Sequence, residues 1–327
     1  MKKRFWVLAA MLLTVLLFLT SCSSGIKSTE EQARVIGECG GYDVKYEELR
    51  FLTLTCKAEL ASKYGENIFS DTSSEWVGDY SKELEDMVKK QLCQNYASLI
   101  VFKENRIKPT DSETKSYVNS CVESIIESFE SEEEYLAYLE ECYMTDAVLR
   151  SNTALESCFY RYYEKIAKEL DEEAYNAVMN ADGFIRTMSI FIKNDDGEDV
   201  DRNRRDAEKV HAEILAGAPL SSYIGTKYNQ DTGTCDYYFM KGYFDEAYEE
   251  AAFALEIGEI SPIVETDEGF YIIQRMELSD TYMLGNIEAL KSIYFECKMY
   301  ETINKLADEL AFEFNDFGKS IDLWTME

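Results

Sequence analysis

The fold of this chain is decided by three segments that follow one another: Tyr248-Glu-Glu-Ala-Ala-Phe-Ala-Leu255, Gly258-Glu-Ile-Ser-Pro262 and Gly269-Phe-Tyr-Ile-Ile273. The first is helical sequence, and we predict a helix over 246–255. The second contains glycine and proline, the residues that most strongly mark turns. The third is rich in the aromatic and β-branched residues that strands favour, and it begins a strand predicted over 270–277.

The sequence around these segments extends this helix and strand into a larger domain. Residues 185–192 alternate and are rich in Ile, Phe and Met, as strands are. The other predicted elements are a turn over 195–199, a helix over 202–216 closed by Gly217 and Pro219, a short helix over 220–228, and strands over 235–240 and 260–265. The order is therefore strand, helices, strand, helix, strand and strand.

The amino-terminal half is predicted to be a hairpin followed by helices. Two short strands, 35–39 and 42–44, flank the turn-forming pair Gly40-Gly41. Apolar residues at helical spacing predict helices over 46–64, 75–105 and, at the other end of the chain, 286–314. Two capping-box patterns, Thr110-Asp-Ser-Glu113 and Ser131-Glu-Glu-Glu134, predict that two more helices begin there.

The three carboxy-terminal segments and their element order resemble parvulin-type prolyl isomerases. The hairpin and the helix start Glu47-Glu48-Leu49 resemble the amino-terminal chaperone region of PrsA- and SurA-type foldases. The resemblance implies an α+β chain with a mostly helical chaperone lobe at 33–182. It further implies an inserted parvulin-like domain at 183–279, with a small antiparallel sheet and flanking helices. The helix within 280–327 is expected to pack back on the amino-terminal lobe.

The resemblance also implies which residues form the catalytic site. Ser189 and Tyr271 stand where parvulins carry two histidines, and Asp231 corresponds to a Cys or Asp in the loop between them. These three are the candidate catalytic residues. The candidate proline pocket consists of four aromatic residues, Phe239, Phe244, Tyr248 and Phe253, which could alternatively be core side chains. A parvulin needs no cofactor and no metal.

Other reactive residues in the chain predict no second active site. His211, the single histidine, falls on a predicted helix and is interpreted as a partly exposed helix residue. Cys235 lies in the candidate region without a histidine base, so we do not predict a nucleophile there. The eight cysteines from Cys39 to Cys297 contain no Cys-x-x-Cys pair, and most are expected to be free, buried thiols rather than disulfides or zinc ligands.

The first residues predict export and lipid anchoring. Lys2, Lys3 and Arg4 precede an apolar run that is shorter than a membrane span, as in a signal sequence over 1–21. Leu19-Thr20-Ser21-Cys22 resembles a bacterial lipobox, which implies cleavage before Cys22 and lipid on its sulfur, followed by a tether over 22–32. The alternative is an ordinary secretory signal with a cysteine there by chance.

Charge excludes one class of partner. The chain has 33 basic and 63 acidic residues, a formal charge of −30, and removal of the signal sequence would change it to −33. Nucleic acid is excluded because phosphate binding requires clustered Lys and Arg. Acidic runs such as Glu132–Glu134 and Glu249-Glu250 are interpreted as solvated helix faces.

Together these features predict a foldase on the extracytoplasmic face of a bacterial membrane, held by the lipid on Cys22. Its clients would be unfolded or partly folded secreted polypeptides, and its isomerase activity is predicted to be weak or lost because both histidines are replaced. The alternative is a holding chaperone or scaffold without catalysis. A solute-binding lipoprotein is a third hypothesis, although the sequence does not contain two matching α/β lobes.

Overall fold

A computed structural model of the chain describes residues 29–69, 74–194, 200–231, 233, 235–266 and 268–327. The predicted signal sequence, the lipidation site at Cys22 and the turn over 195–199 lie outside these residues. The chain divides into two compact units: residues up to Glu164 with Thr302–Glu327, and Lys165–Glu301. Helices and two small antiparallel sheets make up the described part, which confirms the α+β class.

The predicted hairpin is present in the first unit and is extended by a third strand. Helix α1 (Thr29–Gln32), at the end of the predicted tether, precedes strands β1 (Val35–Cys39) and β2 (Tyr42–Lys45). Gly40 and Gly41 form the turn with φ of 59° and 81°, values that favour glycine. The third strand, β7 (Phe312–Phe314), pairs antiparallel with β1. The prediction that the last helix runs to residue 314 is therefore wrong at its carboxy-terminal end.

Helices follow the hairpin as the apolar spacing predicts. They are α2 (Tyr46–Tyr64), α3 (Ser74–Glu104), α4 (Ser112–Ile126), α5 (Glu132–Glu141) and α6 (Asp146–Glu169). The start of α5 is confirmed, because the Ser131 side chain accepts a hydrogen bond from the Glu134 backbone N–H. The start of α4 is wrong by one residue: Asp111, not Thr110, is the N-cap, and its carboxylate accepts from the Lys108 N–H.

The second unit contains the sheet that the carboxy-terminal motifs predict. Its elements are α7 (Asp171–Met179), β3 (Ile185–Lys193), α8 (Val200–Leu215), β4 (Asp236–Phe239), α9 (Glu246–Ala254), β5 (Val264–Thr266), β6 (Gly269–Met276), α10 (Asp280–Gly285) and the first part of α11 (Ile287–Glu309). The strand order is β4-β3-β6-β5, and every neighbouring pair is antiparallel.

Two predicted elements of this unit are shorter than expected. The helix predicted over 220–228 is a single 3-10 turn, Leu220–Tyr223. The strand predicted over 260–265 is limited to β5, and before it only Ile260 forms an isolated bridge, to Gln274. Pro262 explains the interruption, because proline has no N–H to donate to a neighbouring strand.

The two faces of the sheet carry different layers. One face packs Ile190, Ile192, Phe270 and Ile272 against α8, in a core that also includes Val210. The other face packs Ile185 and Ile273 against a separate group of aromatic residues from β4 and α9. Because side chains alternate along a strand, Thr187, Ser189 and Tyr271 belong to this second, aromatic face.

Candidate functional site

The four aromatic residues predicted as a pocket lie together on the aromatic face. The ring centroids of Phe239 and Phe244 are 4.7 Å apart, those of Phe244 and Tyr248 4.9 Å, and those of Phe239 and Phe253 5.8 Å. Phe239 is fully buried and Tyr248 is 2% exposed, so both are core residues. Phe244 is half-buried and Phe253 is 37% exposed, so these two rings can meet a ligand.

Ser189 and Tyr271 lie on this face but are not cross-strand partners. Ser189 is opposite Ile273, whereas Tyr271 is opposite Phe191 and stacks on its ring at 4.3 Å between centroids. The Ser189 hydroxyl is fully buried. It lies near the Tyr248 hydroxyl, but it forms no hydrogen bond with that group or with any other described group. Tyr271 is half-buried and is therefore the more accessible of the two.

A hydroxyl pair at the centre of the face was missed by the motif-based prediction. Thr187 Oγ1 and Tyr248 Oη are 2.8 Å apart and buried. Burial raises the pKa of Tyr248 to about 12. The pKa of Tyr271 is also raised, first by burial and then by the charge of Glu268. Both phenols are therefore protonated at neutral pH and can donate a hydrogen bond.

Asp231 joins the aromatic face through a tyrosine that the motifs did not identify. Its carboxylate accepts hydrogen bonds from the Tyr237 hydroxyl and, at 2.8 Å, from the Gly233 N–H. The Tyr237 ring in turn contacts Phe244, with 5.5 Å between centroids. Asp231, predicted across a gap in the motif, thus lies one side chain away from the pocket.

An asparagine holds the loop that carries Asp231. Asn229 Oδ1 accepts from the Phe191 N–H at 2.9 Å and from the Asp231 N–H at 3.2 Å, while its Nδ2 lies 3.1 Å from Cys235 Sγ. Cys235 is buried and has φ of 57°, and burial raises the pKa of its thiol. A protonated, enclosed thiol is a poor nucleophile, in agreement with the sequence interpretation.

The imidazole of His211 belongs to another part of the unit. His211 lies on α8, which covers the opposite face of the sheet, and its Nε2 is 3.0 Å from the Ser261 carbonyl oxygen. It is half-buried, as the sequence predicts. Within the described residues, histidine, cysteine and carboxylate side chains form no group of three that could hold a metal ion.

Comparison with known proteins agrees with this fold. Residues 190–277 match the family described as rotamase, PPIC-type PPIase domain. The chain carries a parvulin-type domain. Foldase protein PrsA of Oceanobacillus iheyensis is 23% identical over 264 residues, which cover 76% of this chain and 83% of that protein. A local match of 37 residues is 54% identical to Pin1 of Digitalis lanata and covers 11% of this chain and 31% of that protein.

The likeness to PrsA extends beyond the parvulin-type domain, because the match to the Oceanobacillus iheyensis protein covers 76% of this chain. A crystal structure of PrsA from Streptococcus pneumoniae covers 67% of this chain and 83% of that one, at 18% identity and a TM-score of 0.35. The predicted resemblance to parvulin-type, PrsA- and SurA-like foldases is confirmed by these relatives and the family match. Among the described helices, none has an apolar stretch long enough to cross a bilayer.

Proposed function

We propose that this protein is an extracytoplasmic foldase that binds prolyl segments of unfolded secreted polypeptides on its aromatic face and isomerises them slowly. One observation carries the proposal: Phe244 and Phe253 expose ring surface beside a cluster of buried aromatic residues. Aromatic and apolar pockets with few polar groups are the usual form of a small-ligand site. A proline ring is a ligand of suitable size and polarity.

The expected low rate follows from the polar groups of the site. Rotation about a peptide bond has a barrier of about 18–20 kcal/mol, and catalysis requires groups that stabilise the twisted amide. Here the candidates are the hydroxyl of Tyr271 and the carboxylate of Asp231, and Ser189 is fully buried. A phenol can donate to the twisted amide, but it does not reproduce a pair of imidazoles.

The proposal includes a lipid anchor. The lipobox-like segment ending at Cys22 supports attachment to the outer surface of a bacterial membrane. Diacylglyceryl modification supplies two chains, and two chains hold a protein stably on a bilayer. PrsA of Oceanobacillus iheyensis is named a foldase, and an anchored foldase would meet its clients as they leave the membrane.

A peptide experiment tests the proposed function. The chain without residues 1–21 is mixed with a panel of X-Pro peptides, and binding and cis–trans exchange are followed by NMR. We expect weak binding, a small rate increase, loss of binding in Phe244→Ala, and loss of the rate increase with retained binding in Tyr271→Phe. Tyr175→Ala is the control, because it removes an aromatic side chain that is 46% exposed on α7. Equal binding of peptides with alanine in place of proline would refute the proposal.

A holding chaperone without catalysis is the second candidate. It is favoured by the full burial of Ser189 and by the stacking of Tyr271 on Phe191, which restrict both replaced histidine positions. Suppression of client aggregation combined with no effect on the rate of proline-limited refolding would select it. Tight binding of a small solute, detected by thermal shift, would instead select the solute-binding hypothesis.

A further inference from the structure

Among the described residues of the second unit, Glu249 is the only buried carboxylate. The acidic pair Glu249-Glu250 on α9 was interpreted from sequence as a solvated face, and the structure contradicts this for its first member. Glu249 is 6% exposed, whereas Glu250 is exposed. Complete removal of a carboxylate from water is costly unless hydrogen bonds replace the lost hydration. The partners of Glu249 therefore indicate why it is buried.

The carboxylate of Glu249 binds three consecutive backbone amides. Oε2 accepts from the Gly242 N–H at 2.8 Å, and Oε1 accepts from the N–H groups of Tyr243 at 2.6 Å and Phe244 at 2.7 Å. These lengths are typical of hydrogen bonds to a charged acceptor, which are about twice as strong as neutral ones. All three amides belong to the segment between β4 and α9, so one side chain restrains three consecutive residues of this connection.

This connection carries the accessible ring of the pocket. Gly242 has φ of 94°, and the chain turns there before Phe244 enters the aromatic cluster. Phe244 contacts the rings of Tyr237, Phe239 and Tyr248 at 4.7–5.5 Å between centroids. The backbone N–H of Phe244 is itself bound by Glu249. The position of the ring is therefore set from both sides, by the packed rings and by the carboxylate.

We infer that Glu249 is a positioning residue of the candidate site, whose carboxylate locks the segment 242–244 and thereby preorganises Phe244 for a proline ring. The part that concerns proline rests on the proposed function, whereas the locking of the segment does not. A preorganised pocket binds more tightly because its ordering cost is already met in the free protein. Loss of the carboxylate should therefore weaken binding without removing any atom that touches the ligand.

The test compares Glu249→Gln with Glu250→Gln in the same preparation. Glutamine has nearly the same shape but one acceptor fewer, so it cannot accept from all three amides. We expect amide hydrogen exchange at Gly242, Tyr243 and Phe244 to accelerate at least about tenfold in Glu249→Gln and to be unchanged in Glu250→Gln. The affinity for X-Pro peptides should fall about tenfold in the first variant only.

The outcomes separate this inference from the proposed function. Unchanged exchange in Glu249→Gln would overturn the inference, and so would faster exchange with undiminished peptide affinity. Faster exchange in a protein whose wild type binds no prolyl peptide would support the locking of 242–244 and refute the proposed function instead. If Glu249→Gln does not fold, the wild-type protein decides: the amide protons of Gly242, Tyr243 and Phe244 should lie downfield and exchange slowly together, and independent behaviour would overturn the inference.

Discussion

The hydrogen-bonded pair Thr187 and Tyr248, at the centre of the aromatic face, shows which properties of a single residue could be predicted from the sequence and which could not. Alternation along β3 places Thr187 on the same face as Ser189, so the direction of its side chain follows from the sequence once the strand is recognised. The identity of its hydrogen-bond partner does not follow from the sequence, because Tyr248 comes from α9, 61 positions further along the chain. Tyr248 fits the motif equally well as a pocket residue or as a core residue, and only burial separates the two.

The Thr187–Tyr248 pair is expected to stabilise the fold rather than to act in catalysis. Tyr248→Phe should lower the free energy of unfolding by about 1–2 kcal/mol, because it leaves the buried Thr187 hydroxyl without its partner. Urea unfolding of this variant, of Thr187→Val and of the double variant completes a thermodynamic cycle. The double variant should lose less than the sum of the single losses. Strict additivity would mean that the two hydroxyls do not interact.

Glu48 in the first unit should make stability depend on pH. Tyr96 donates to its Oε2 at 2.6 Å, and burial raises the pKa of Glu48 above its ordinary value. The folded protein therefore binds this proton more tightly than the unfolded chain. Its contribution to stability is fully present below the unfolded pKa of about 4.3 and is lost as pH rises through the higher folded pKa.

Glu48→Gln tests that dependence, since glutamine keeps an acceptor for Tyr96 and carries no charge. Relative to wild type, the variant should gain stability as pH rises from about 4 towards 7. The measurement is the difference in urea unfolding between the two proteins across this range. Glu133→Gln, at an exposed position on α5, serves as the control and should give a flat difference. A flat difference for Glu48→Gln as well would contradict the prediction.

Among the elements, local signals predicted most helices and strands, but they missed a strand that forms by long-range pairing. Capping and spacing are read from neighbouring residues, so α2 was predicted at its observed bounds and the start of α5 was confirmed. Strand β7 could not be found this way, because it exists through pairing with β1 at the other end of the chain. Glycine permits that pairing at Gly37, where a Cβ would lie 2.5 Å from the Glu313 carbonyl oxygen.

The two capping-box patterns provide a matched pair at the scale of the helix. Ser131→Ala should lower the free energy of unfolding by about 1 kcal/mol, because Ser131 caps the Glu134 N–H. Thr110→Ala should change it by less than about 0.5 kcal/mol, because the N-cap of α4 is Asp111 and Thr110 is exposed. Urea unfolding measures both. Equal losses would show that Thr110 also caps its helix.

For the whole molecule, the sequence predicted the fold class more completely than the candidate site. The order of helices and strands identified the parvulin-type domain, because that order survives changes in individual residues. The hydrogen bonds that Asn229 and Glu249 form in the candidate site did not follow from this order of elements. Asn229 accepts a hydrogen bond from the Phe191 N–H of β3, and Glu249 accepts from amides of the segment between β4 and α9, so the spacing of apolar residues contains no signal for either contact. Only the burial of a carboxylate beside glycine and aromatic residues reveals Glu249.

Anchoring is also a property of the whole molecule, and its test follows from the chemistry of the predicted lipidation site. When the full chain is produced in a bacterial host supplied with an alkyne fatty acid, the protein should take up the label and sediment with membranes. Cys22→Ser should abolish labelling, because a hydroxyl does not replace the thiol that accepts the diacylglyceryl group. Cys121→Ser, at a half-exposed cysteine on α4, should retain full labelling. Label that persists in Cys22→Ser would place the lipid elsewhere, and an unlabelled wild type released from the cell would favour the ordinary secretory signal.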